Sequence, residues 1–114
     1  METIRAVDKL AALAQETRLR IFRLLVEQGP AGLKAGAISE SLAIPPATLS
    51  FHVAHLARTG LVTSRQEGRF IFYAASFAAM DDLIAYLTDN CCQGGQCLPK
   101  TAVRATAARR RKAA

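Results

Sequence analysis

The sequence predicts a mostly α-helical domain with a small β-hairpin. Three observations carry that expectation. Apolar residues recur at three- and four-residue spacing along several stretches, two short runs rich in β-branched and aromatic residues flank a glycine, and Gly and Pro fall mainly between these stretches. At 114 residues the chain is one domain with room for a single core.

The elements follow in order. Ile4, Val7, Leu10 and Ala14 share a face and give a first helix. Thr17 starts a second, whose Leu19, Ile21, Phe22, Leu25 and Val26 form a broad apolar side, and "QGP" at 28–30 stops it. The stretch "LKAGAISESLA" reads as a short third helix carrying Ile38 and Leu42. Its end is marked by "IPP" at 44–46, because the residue before a proline avoids the helical region while a proline opens a new helix readily. That helix spans about 46–59 with Leu49, Val53 and Leu56 on one side, and Gly60 ends it. "LVTSRQ" and "RFIFYA" are two strands joined at Glu67-Gly68, and a last helix runs from about Phe77 to Thr88 with Phe77, Met80, Ile84 and Leu87 in one stripe. Helix, helix, turn, helix, hairpin, helix is the order of a winged helix-turn-helix.

Charge divides the chain unevenly. Residues 1–90, the expected domain, hold nine basic and nine acidic residues. Residues 91–114 hold six basic residues (Lys100, Arg104, Arg109, Arg110, Arg111 and Lys112) and no acid, which supplies the whole net charge of +6. A DNA-binding role for the folded part must therefore rest on a local patch, while the tail adds at most weak, salt-sensitive attraction. No apolar run approaches the about 18 residues of a membrane helix, and no leader-like segment is visible. A cytoplasmic protein with no membrane partner is expected, and there thiols stay reduced.

"ETRLRIFRLL" at 16–25, "ATLSFHVAHLARTGLV" at 47–62 and "GRFIFY" at 68–73 resemble the ArsR/SmtB family of metal-sensing bacterial repressors. The resemblance covers about residues 4–90. It implies a homodimer paired through the first and last helices, seated on a palindromic double-stranded operator and released when a metal or metalloid binds. Two familiar metal sites of the family are empty here. The third helix has no cysteine pair, and the last helix has no histidine.

The remaining candidate is "DNCCQGGQC" at 89–97, which contains every cysteine of the chain: Cys91, Cys92 and Cys97. An odd count argues against a disulfide framework. The flexible Gly94-Gly95 lets the loop fold back so that three sulfurs converge. Soft thiolates favour soft ions, and three of them without histidine suit As(III) or Sb(III) as inducer, bound in a pyramid. Zinc prefers four ligands and would need Asp89, a partner's residue or water. Some arsenical repressors of the family carry a cysteine trio at this place. Another thiophilic metal (zinc, cadmium, lead), or redox or persulfide sensing by the same thiols, stands as the alternative. Methylated arsenicals remain possible ligands.

For DNA, the fourth helix turns Leu49, Val53 and Leu56 inward, so Ala47, Phe51 and Arg58 point outward with Thr48 and Ser50 on the flanks. Thr48 and Ser50 can hydrogen-bond bases or phosphates, and Phe51 either packs on a thymine methyl or lies partly buried beside the wing. His52 occupies the family's S-x-H position, suited to packing or a phosphate contact more than to a metal. Arg58, Arg65 and Arg69 are phosphate or minor-groove candidates or solvated charges. Pro45-Pro46 replaces the Ser-Gln that often begins the family's recognition helix, so the operator's base preference does not carry over. A cysteine enzyme is not expected, because its thiol and base must meet and both histidines lie on the reading helix.

Overall fold

The computed structural model describes residues 1–94. Within them run α1 (Thr3–Leu13), α2 (Glu16–Gln28), β1 (Leu33–Lys34), α3 (Ala35–Leu42), α4 (Pro46–Arg58), β2 (Val62–Glu67), β3 (Phe70–Ala75) and α5 (Phe77–Leu87), followed by an irregular turn at Cys91–Gly94. This is the winged helix-turn-helix the sequence predicts. The caps explain several boundaries. The Gln15 side chain accepts from the Arg18 N–H at 2.9 Å, so α2 starts one residue before the expected Thr17. Ser76 Oγ accepts from the Ala79 N–H at 3.2 Å and opens α5 where expected. Pro46 stands in the first turn of α4, where its missing N–H costs nothing.

The antiparallel sheet has the order β1-β3-β2. Here the structure corrects the expected third helix, which included Leu33 and Lys34. Those two residues pair instead with Tyr73 and Phe72 of β3. Gly32 makes the pairing possible: its φ is +73°, and a Cβ built there would stand 2.2 Å from the Tyr73 carbonyl oxygen. The hairpin also shifts by one residue. Glu67 still pairs with Phe70, so Gly68 and Arg69 form the two-residue turn, with glycine supplying a φ of +62° at its first position.

The core lies where α2, α3 and α4 meet the base of the wing. Ile21 and Leu25, Ile38, Leu56 and Leu61 are fully buried, and Leu49 and Val53 nearly so. All three inward residues expected on α4 are therefore in place. The α1 stripe behaves differently. Ala6 and Ala12 are buried, whereas Ile4, Val7 and Leu10 are 68%, 54% and 41% exposed. On α5 the predicted stripe divides: Phe77 and Met80 pack on the core, while Ile84 and Leu87 are 40% and 57% exposed. The two helices touch, and the Thr3 and Tyr86 hydroxyls are hydrogen-bonded between them. Both helices thus leave large apolar side chains open, the kind of surface that marks an association site.

Candidate nucleic-acid interface and thiol cluster

The unit that presents α4 is built locally. Ala43 leaves α3 in the left-handed conformation at φ 55°, and the Ile44 N–H donates to the Ser39 carbonyl at 3.1 Å. Pro45 then holds an extended backbone and α4 begins. Ala47, Thr48, Ser50 and Phe51 are exposed together over its first turns. Phe51 is 67% exposed and meets the His52 ring edge-to-face at 5.3 Å. Of its two sequence readings, the partly buried one is therefore excluded. The ring is open to solvent near the start of α4.

His52 is half-buried, with Nδ1 turned to Arg18 Nη1 at 3.4 Å. Burial first and the Arg18 cation second lower its pKa below the ordinary histidine value. His55 is lowered as well, by desolvation and then by Arg18, Arg58 and His52. Both imidazoles are accordingly held neutral around pH 7, and neither belongs to a metal-ligand group. Among the described residues no three His, Cys, Asp or Glu side chains cluster for one ion.

The three arginines separate. Arg69 is exposed in the wing turn, beside Phe70 and Lys34. Arg65 is occupied: Nε contacts Glu67 Oε1 at 3.1 Å, Nη1 donates to the Ala31 carbonyl at 2.9 Å, and the guanidinium lies 4.7 Å from the Phe72 ring centre. Arg58 stands at the far end of α4, about 18 Å of helix from Pro46 by rise per residue. There it lines a cleft of about 400 Å³ with Arg5, Asp8 and Lys9 of α1. Thus the structure gathers Ala47, Thr48, Ser50, Phe51 and His52, and leaves Arg58 apart from them.

Two cations escaped the sequence reading. Lys34 sits 4.3 Å over the Phe70 ring, a contact that exists only because β1 pairs with β3. Arg18 was visible inside the "ETRLR" motif, but its partners lie 6 and 34 residues away.

The thiols begin just past α5. Asn90, Cys92 and Gln93 all have positive φ, which turns the chain sharply back on itself. Cys91 and Cys92 bring their sulfurs to 3.8 Å. Cys91 is a half-buried free thiol, and Cys92 is exposed and disulfide-bonded. Cys97 and the predicted basic tail lie outside the described residues. No helix among the described residues is long and apolar enough to cross a membrane.

Comparison with known proteins agrees with this architecture. A helix-turn-helix domain family matches residues 13–65. The transcriptional activator HlyU of Vibrio cholerae serotype O1 is 36% identical over 92 residues, covering 81% of this chain and 82% of that protein. A HlyU structure from V. cholerae superposes with a TM-score of 0.64 at 35% identity, over 81% of this chain and 99% of that one. HlyU solved in reduced form gives 0.60 at 36% identity, over 76% and 92%. A possible transcriptional regulator for arsenical resistance gives 0.62 at 28% identity, over 70% and 80%. A homodimeric winged helix-turn-helix domain from Mycobacterium bovis, from a possible ArsR-family regulator, gives 0.60 at 26% identity, over 83% and 88%. The winged helix-turn-helix architecture and this similarity over four-fifths of the chain lead to one conclusion: the chain belongs to the ArsR family of DNA-binding transcriptional regulators, a family of regulators and not of enzymes.

Proposed function

We propose that the protein is a homodimeric repressor of a palindromic operator, released when As(III) or Sb(III) is captured by Cys91, Cys92 and Cys97. The observation that carries this reading is the position of the thiols. Once the disulfide at Cys92 is reduced, Cys91 and Cys92, whose sulfurs stand 3.8 Å apart, are close enough to share one soft ion, and they lie just past the end of α5. Because Ile84 and Leu87 of that helix are open on the α1/α5 face, closing a loop at its end acts on the seam between protomers. The likeness to a possible regulator for arsenical resistance supports the same ligand class.

In this reading one α4 enters the major groove at each half-site. Thr48 and Ser50 donate to bases or phosphates, Ala47 and Phe51 meet base edges and methyl groups, His52 flanks them, and Arg69 approaches phosphate from the wing. Arg65 and Arg58 contribute long-range attraction, since one is engaged within the chain and the other lies at the far end of α4. Release requires the ligand to favour the DNA-free arrangement. A coupling of about 3 kcal/mol weakens operator binding about 150-fold.

A second reading has its own observation. Cys92 is disulfide-bonded beside the free thiol of Cys91, and the similar HlyU has been solved in reduced form, so a thiol-redox switch competes for the same cysteines. Fluorescence anisotropy on the promoter fragment at fixed salt separates the two. The reduced protein is titrated with arsenite, antimonite and zinc, and in parallel with the thiol oxidant diamide. Release by the metalloids alone supports the first reading. Release by diamide, reversed by dithiothreitol, with no response to arsenite, replaces it with the second. Tight binding through all four titrations refutes both.

A further inference from the structure

We infer that Arg18 is a positioning residue for DNA reading: it joins the end of α1 to the His52 ring and so presents His52 Nε2 as a neutral N–H donor to a DNA phosphate. The inference rests on α4 being the reading helix. Arg18 Nε donates to the Ala12 carbonyl at 2.7 Å, at the C-terminal turn of α1. Its own N–H is held by Gln15 at 2.9 Å, and Nη1 reaches His52 Nδ1 at 3.4 Å. One half-buried side chain on α2 therefore connects the helix that carries the open apolar face with the helix that reads DNA.

The chemistry fixes the tautomer. A guanidinium has donors and no acceptor, so the nitrogen facing it must accept. A neutral imidazole accepting at Nδ1 carries its proton at Nε2. Among the described residues Nε2 has no hydrogen-bond partner, and His52 lies one helical turn behind exposed Thr48 on the same side of α4. Protonation would set an Nδ1–H against the guanidinium, and burial opposes the charge as well. From the packed helices the charge acting on the ring is that of Arg18; along its own helix lie His55 and Arg58. Phosphate thus meets a fixed dipole in place of a cation, with the register set by the ring's orientation.

Three measurements on the full chain test this. Long-range ¹H–¹⁵N NMR at pH 7 should show His52 as the Nε2–H tautomer, and Arg18→Met, which removes the donor facing Nδ1, should mix in the Nδ1–H form. His52→Gln, which keeps a donor near the Nε2 position, should hold operator affinity within about threefold, whereas His52→Asn, which replaces only the inner nitrogen, should lose about tenfold. The dependence of log affinity on log salt should be unchanged in both variants, since a neutral donor releases no counterion. An Nδ1–H or imidazolium signal in the wild type, equal losses in Gln and Asn, or a salt slope reduced by about one overturns the inference. Phe51→Ala distinguishes its failure from that of the underlying reading. If Phe51→Ala weakens binding while His52→Asn does not, only the Arg18–His52 inference falls. If neither does, α4 is not the reading helix and both fall.

Discussion

Leu87→Ala tests the pairing of protomers through α1 and α5. In the single protomer Leu87 is 57% exposed, so more than half of its apolar surface is available to a second copy. Truncation to alanine removes three carbons, worth about 2.4 kcal/mol when fully buried at about 0.8 kcal/mol each. Scaled by that exposed share, the loss at the interface is about 1.4 kcal/mol per protomer. A two-fold axis counts it twice, giving about 2.7 kcal/mol, or about a hundredfold rise in the dimer dissociation constant. Sedimentation equilibrium across a concentration series measures that constant. Ile71→Ala is the control, because Ile71 is 44% exposed on the wing, away from α1 and α5. A Leu87→Ala dimer as tight as wild type, or an equal shift from Ile71→Ala, refutes the assignment of this face.

Gly32→Ala should destabilise the fold by about 2–4 kcal/mol, since a positive φ costs a substituted residue about 1–2 kcal/mol and the new methyl would meet the Tyr73 carbonyl; a urea midpoint unchanged from wild type contradicts the Gly32 geometry. Cys91→Ser should leave operator affinity within about twofold and abolish arsenite-driven release, read by anisotropy. Acidification should weaken the fold in a definite window. His52 has a lowered native pKa, so below the unfolded value near 6.5 the unfolded chain binds more protons, and stability falls as pH drops through that value and toward the native one. His52→Gln should flatten that part of a stability–pH profile measured by urea unfolding, and an unaltered profile would count against the lowered pKa.

Much of the fold was legible because it is local. The α4 triad Leu49, Val53 and Leu56 repeats at helical spacing, and its burial followed from that alone. The Leu33–Lys34 strand was hidden for the opposite reason. Two residues carry no period, and they are extended only because Tyr73 and Phe72, some forty positions on, supply the ladder. The same limit governs the site. Exposure of Thr48, Ser50 and Phe51 follows from the helical wheel, but the engagement of Arg65 by Ala31, Glu67 and Phe72 depends on the hairpin register. A wheel also separates an apolar stripe from a polar one without saying which neighbour covers it. That is why Ile4, Val7 and Leu10 read as an ordinary helix face and stand open in the protomer.

The Arg65 clamp has a mechanical consequence. By holding the Ala31 carbonyl, Arg65 ties β2, the first strand of the wing, to the lead-in of α3, while β1 ties that same lead-in to β3. Wing and reading unit are thereby cross-braced into one stiff jaw, with little freedom for either to swing alone. Under the function proposed above, an inducer acting at the end of α5 would have one soft coordinate to work on, the angle between two jaws. Spin labels on the two wing tips would register it as a change in one inter-label distance, with the profile inside each protomer left unaltered.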